Sequence, residues 1–172
     1  EESNATTFVD YIGNSAAGRN RGVEVEFNWL PTETLALFGS VGLLDTEYDV
    51  PLSADLDHRE QAHAPSYQFA LGVTAQLTDS LTLTADLEGK DKFYLSSSHD
   101  EQARSYELIN VSMAYVVGDW VLSMWGRNLT DEAVIVRGFG GFGNDPRKFY
   151  ETEAYYQLGE PRMLGVSGTY VF

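Results

Sequence analysis

The sequence predicts an all-β chain, an antiparallel up-and-down transmembrane β-barrel of which about seven or eight strands are present. Three observations predict it. Apolar residues recur at every second position over long stretches, with no 3.6-residue pattern of comparable length. The alternating runs reach about 9–14 residues, where strands of soluble proteins are commonly about five or six. The connections also alternate in length: tight turns at 31–34, 78–80 and 118–119 interleave with long polar segments at about 48–64, 97–104 and 132–160. Long strands with short turns at one end and long loops at the other are the pattern of a membrane barrel. Hydrocarbon offers no hydrogen-bond partners, so the backbone must satisfy itself within a closed sheet.

Taken in order, "TTFVDYIG" (6–13) is a weak eighth candidate. In 20–30, Val23, Val25, Phe27 and Trp29 share one face and Glu24, Glu26 and Asn28 the other. Strand 35–48 places Leu35, Leu37, Val41 and Leu43 together, and 65–77 does the same with Tyr67, Phe69, Leu71 and Val73. In 81–96, Leu81, Leu83, Ala85 and Leu87 oppose Asp86, Glu88, Lys90 and Lys92. Strand 105–117 sets Ile109, Val111, Met113 and Tyr115 against Asn110 and Ser112, and 120–131 sets Trp120, Leu122 and Met124 against Ser123 and Arg127. The last strand, 161–172, aligns Leu164, Val166, Tyr170 and Phe172. In a barrel the apolar face meets lipid and the polar face a lumen, so Glu24, Glu26, Asp86, Glu88, Lys90 and Arg127 are predicted to be lumen-facing. Trp29, Tyr67, Tyr106, Tyr115, Trp120, Tyr170 and Phe172 stand near strand ends, as interfacial girdles require.

Composition narrows the function. The 172 residues carry a net charge of -15, which excludes a nucleic-acid partner because nothing neutralises phosphates. With no cysteine there is neither a disulfide framework nor a thiolate metal site. The start "EESNATTFVD" has no signal-peptide character, so a removed signal or a longer parent chain is expected.

No metal, cofactor or catalytic centre is predicted. "HREQAH" brings His58 and His63 near Asp55, Asp57 and Glu60, and His99 adjoins Asp100 and Glu101, but neither has tight ligand spacing. They read as solvated loops. "RGFGGFGNDPR" (137–147) is glycine-rich without the Gly-Lys-Ser/Thr ending of a phosphate loop. It reads as part of a long outer loop whose Arg137, Phe139, Phe142, Asn144 and Arg147 are ligand-contact candidates, set against a loop that merely folds over the barrel mouth. The serines and threonines lack a histidine partner at motif spacing, so the chain is not expected to be an enzyme.

"GRNRGVEVEFNWLPTETLALFGSVGLLDTEY", "WGRNLTDE", "GFGNDPRKFY" and "YYQLGEPRMLGVSGTYVF" together resemble the C-terminal barrel portion of TonB-dependent outer-membrane receptors. The resemblance implies a 22-stranded barrel in the bacterial outer membrane, plugged by an N-terminal domain and driven by the TonB complex. Its small-molecule substrate would be a siderophore, cobalamin or an oligosaccharide. Residues 1–172 would then be the C-terminal part of the barrel, with the plug domain absent. Membrane lipid and lipopolysaccharide would surround it. The aromatic close, with Leu164, Val166, Tyr170 and Phe172, is similar to the signal read by the barrel assembly machinery. The alternatives are a complete eight-stranded barrel with a structural or adhesive role and, more distantly, a soluble β-sandwich binding module.

Overall fold

Whether the separate alternations make one surface depends on register, because directly paired residues of an antiparallel sheet point to the same side. The computed structural model describes residues 17–50, 56–140, 145–151 and 153–172. In chain order its strands are β1 (Ala17–Thr32), β2 (Leu35–Asp49), β3 (Tyr67–Thr78), β4 (Leu81–Lys90), β5 (Phe93–Tyr94), β6 (Gln102–Ala103), β7 (Tyr106–Val117), β8 (Trp120–Arg127), β9 (Ile135–Gly140), β10 (Ala154–Leu158) and β11 (Met163–Tyr170). The seven long ones form one antiparallel meander, β1-β2-β3-β4-β7-β8-β11, while β5-β6 and β9-β10 are small hairpins within the long connections.

The alternations do add up. Leu37 pairs with Val73, Val73 with Ala85, Ala85 with Val111, Val111 with Gly126 and Gly126 with Leu164. On the same side, Leu71, Leu87 and Ile109 make a second row, and Met113, Met124 and Val166 a third. A continuous apolar face therefore crosses all seven strands. Nothing among the described residues covers it: Val25, Leu122 and Val166 are 56%, 46% and 82% exposed. The buried apolar side chains, Phe93, Leu95, Ala103 and Val134, all belong to the long connections. Among the described residues the sheet thus has no core of the soluble kind on either side.

Four aromatic rings lie directly opposite glycines: Phe27 on Gly39, Phe38 on Gly72, Phe69 on Gly89 and Trp125 on Gly165. A Cβ added at any of these glycines would collide with the facing ring. The ring folds across the gap and restores the packing that a strand glycine gives up.

Three boundaries differ from the sequence reading by three residues or more. β1 starts at Ala17 instead of 20, its pairing with β2 continuing through Arg19–Glu47 to Ala17–Asp49. β4 ends at Lys90 instead of 96, because Phe93–Tyr94 turns away to pair with Gln102–Ala103. β8 ends at Arg127 instead of 131, because Asn128 and Asp131 adopt left-handed backbones, φ 47° and 58°. The sheet is open: among the described residues β1 pairs with β2 alone and β11 with β8 alone. The candidate strand 6–13 lies outside the described residues.

Candidate functional site

All three long connections leave the same end of the sheet, and they pack together there. Segment 93–103 is the centre, with Phe93, Leu95 and Ala103 buried and Ile135 of β9 set against them. On one side stands residues 56–66. The Arg59 guanidinium donates to Asp100 Oδ1 (2.7 Å), Ser96 O (3.1 Å) and His99 O (3.3 Å), and lies 4.5 Å from the Tyr94 ring centroid. The His63 amide donates to Tyr94 O at 2.9 Å. On the other side stands the β9–β10 hairpin. Gly138 abuts Leu95, Gly140 abuts the Ser96 and Ser98 hydroxyls, and His99 Nε2 is 3.5 Å from Phe139 O. Phe139 stacks on Tyr155 with the rings 5.8 Å apart and 9° from parallel.

The face opposite the apolar one is polar near this end. Glu24, Gly42, Gln68, Lys90 and Tyr106 form one cross-strand row, and Glu26, Ser40, Ala70, Glu88 and Leu108 the next. These rows line an open trough of about 350 Å³. Below them Asp86 accepts from Asn110 Nδ2 at 2.7 Å. Arg127 lies 5.6 Å from the Trp125 ring centroid and 3.8 Å from Glu160.

The polar row connects to the base of the longest loop. Asn110 Oδ1 accepts from the Asn128 amide at 3.0 Å. Asn128, 3% exposed, donates through Nδ2 to Glu132 O (2.9 Å) and Glu160 O (3.1 Å), and its Oδ1 accepts from the Glu132 amide (2.8 Å). Asp131 accepts from the Arg162 amide at 3.0 Å. "NLTD" and "GEPR", about thirty residues apart, thus meet as one fastening between the ends of β8 and β11. An asparagine suits the junction because it tolerates the left-handed region and bonds main-chain groups on both sides.

No family model matches the sequence. Solved structures share its fold. The chain superposes on the ferric yersiniabactin uptake receptor FyuA from Yersinia pestis with a TM-score of 0.74 at 16% identity, covering 90% of this chain and 24% of that one. The siderophore receptor PiuA from Acinetobacter baumannii gives 0.73 at 17% identity, covering 88% and 21%. BauA, the ferric preacinetobactin receptor from Acinetobacter baumannii, gives 0.61 at 23% identity, covering 88% and 22%. The fold is that of a receptor barrel wall. The chain spans between a fifth and a quarter of these receptors' lengths.

Within that wall, Glu24, Glu26, Asp86, Glu88, Lys90 and Arg127 share the polar face. Arg137 and Phe139 sit two apart on β9, facing Gln157 and Tyr155 of β10. Part of the glycine-rich stretch is therefore strand, where the sequence suggested irregular loop. Arg147 stands apart from them, its Nε and Nη2 on Asp145 at 3.0 and 2.9 Å, an ion pair that lowers the Asp145 pKa. Phe142, Asn144 and Asp55 lie outside the described residues. Leu164, Val166 and Tyr170 are on the apolar face, with Tyr170 5.2 Å from Trp120 and 6.2 Å from Phe172. His58 bonds Glu47 (2.6 Å) and lies 3.5 Å from Asp57, and these carboxylates raise its pKa. Among the described residues no group of three or more His, Asp or Glu side chains is arranged to hold a metal ion. Sequence reasoning missed Arg59. Its signal was a lone cation between two histidines that drew attention as metal candidates.

Proposed function

We propose that the chain is a wall segment of a TonB-dependent receptor in the bacterial outer membrane, taking part in energised uptake of a small nutrient. The observation that carries this is the uncovered apolar face. Seven strands present Val, Leu, Ile, Met and aromatic side chains outward with no second layer over them among the described residues. In water such a face is an aggregation surface, whereas hydrocarbon solvates it. Membrane lipid and lipopolysaccharide are its partners there, and the polar face becomes the lumen wall, against which the N-terminal plug domain rests.

The ferric-siderophore receptors named above favour a siderophore as the small-molecule substrate. The capping loops would meet it first, with Arg137 and Phe139 among the contacts. The plug and the TonB complex supply the energised step, and the barrel assembly machinery reads β11 with the Tyr170 and Phe172 rings at and just beyond its end. The superposition on receptors of which this chain spans about a fifth to a quarter supports a segment over a closed small barrel with a structural or adhesive role.

The deciding experiment is the mass of the native polypeptide isolated from outer membranes and detected through a peptide of this segment. A species several times heavier than 19.1 kDa is expected. A species near 19.1 kDa overturns the receptor reading in favour of the small barrel, and recovery from the soluble fraction overturns both.

A further inference from the structure

We propose that residues 56–66, residues 93–103 and the β9–β10 hairpin form one preassembled cap, with Arg59 as its positioning residue, so that displacing one part displaces all three. The proposal rests on the receptor reading for the place of the cap at the barrel mouth, and adds how that mouth moves.

The buried apolar side chains of the described residues lie in these connections, where independent loops would have none. Arg59 is 9% exposed while its partner Asp100 is 82% exposed, so this is not a sealed ion pair. The buried part of the contact is made to main-chain carbonyls. Two guanidinium nitrogens reach Ser96 O and His99 O while the plane covers Tyr94. That fork reads the shape of the 96–99 turn, which a lysine point charge cannot do. Arg59 Nε is buried and, among the described residues, has no acceptor.

The turn that Arg59 grips is also the surface against which the hairpin lies. Gly138 rests on Leu95, Gly140 on Ser96 and Ser98, and His99 reaches Phe139 O. Segment 93–103 is therefore the common element through which a disturbance at Arg59 reaches β9 and β10. Packed interfaces of this kind shift between discrete arrangements and do not deform gradually.

Hydrogen–deuterium exchange on the detergent-solubilised full-length protein tests this. Arg59→Lys should speed exchange about tenfold, equivalent to about 1.4 kcal/mol of local stability, in 93–103 and also in 135–140 and 154–158. Strands β7 and β8 should be unchanged. Asp100→Asn should change exchange less than about threefold, since an exposed charge contributes little. An Arg59→Lys effect that stops short of the hairpin overturns the proposal, as does an Asp100→Asn effect of equal size. Should Arg59→Lys fail to assemble, Gly138→Ala probes the same path from the far side, and faster exchange confined to the hairpin overturns it. Exchange reads the loops directly, so it stands apart from the native-mass result that decides the receptor reading.

Discussion

Replacing Asn128 by alanine should release the base of the longest loop while leaving the sheet in place. The side chain makes three hydrogen bonds, to Glu132 O, Glu160 O and from the Glu132 amide, at a site 3% exposed. Each is worth about 1 kcal/mol net, and more when the abandoned partner stays buried, giving about 3 kcal/mol together. Alanine also tolerates φ near 47° poorly, adding about 1 kcal/mol. A local loss of about 3–4 kcal/mol corresponds to a fall of roughly two to three powers of ten in exchange protection. The amides to follow are those of Glu132, which bonds Asn128 Oδ1, and Gly159, which donates to Val134 O at 2.8 Å. Asn128→Gly separates the two contributions, because glycine accepts the backbone angle but makes none of the bonds. Protection of both amides within threefold of the parent in Asn128→Ala, with β8 and β11 intact, would refute the reasoning.

The remaining predictions concern the faces, the ring–glycine pairs, the outer loop and the final residue. Met124→Arg should block insertion, since a charge at the midplane of the lipid face costs about 2–4 kcal/mol; Ser123→Arg, one residue away on the polar face, should assemble, and equal behaviour in a membrane-fraction blot contradicts the face assignment. Gly72→Ala drives a Cβ into the Phe38 ring and should destabilise by about 1–3 kcal/mol, as overpacking does, with Phe38→Ala in the same chain partly restoring the folded fraction; absence of rescue removes the steric explanation. The raised pKa of His58 means its contribution is complete below the ordinary value of 6.5 and is lost as pH rises through the raised folded value. Protection of the His58 amide, which donates to Tyr48 O, should therefore decline across that window, and His58→Gln should flatten the profile. Deleting Phe172 should lower the assembled fraction in vivo while leaving the urea midpoint of the folded protein unchanged; normal assembly would argue against a terminal recognition role.

Much of the sheet was legible because a two-residue period is a local property. Val23 to Trp29, Tyr67 to Val73 and Ile109 to Tyr115 each announce a strand and its two faces without reference to a neighbour. The apolar rows then follow from short turns such as Gly118-Asp119, where φ is 56° at the glycine and pairing is forced between adjacent residues. Strand ends were less legible because they are decided by distant partners. Arg127 ends β8 because Asn128 turns away to bond Glu160, more than thirty positions on, and nothing local in "WGRNLTD" contains that information.

The cap was the least legible part, for the same physical reason made larger. In a chain whose sheet leaves its apolar side uncovered, hydrophobic pattern reports the two faces of the sheet and says nothing of which loop residues meet. Phe93 and Leu95 look like the end of strand 81–96, yet they make a small core between loops. Arg59 reads as an ordinary solvated cation in an acidic segment until the 96–99 turn supplies two carbonyls and Tyr94 a ring. Its partners are about forty residues away and mostly main chain, so no side-chain motif could mark them. Strands in such a wall are specified by their own sequence and the solvent they face. The loop assembly is specified by contacts between segments that have no periodicity, and there tertiary structure adds most to the sequence.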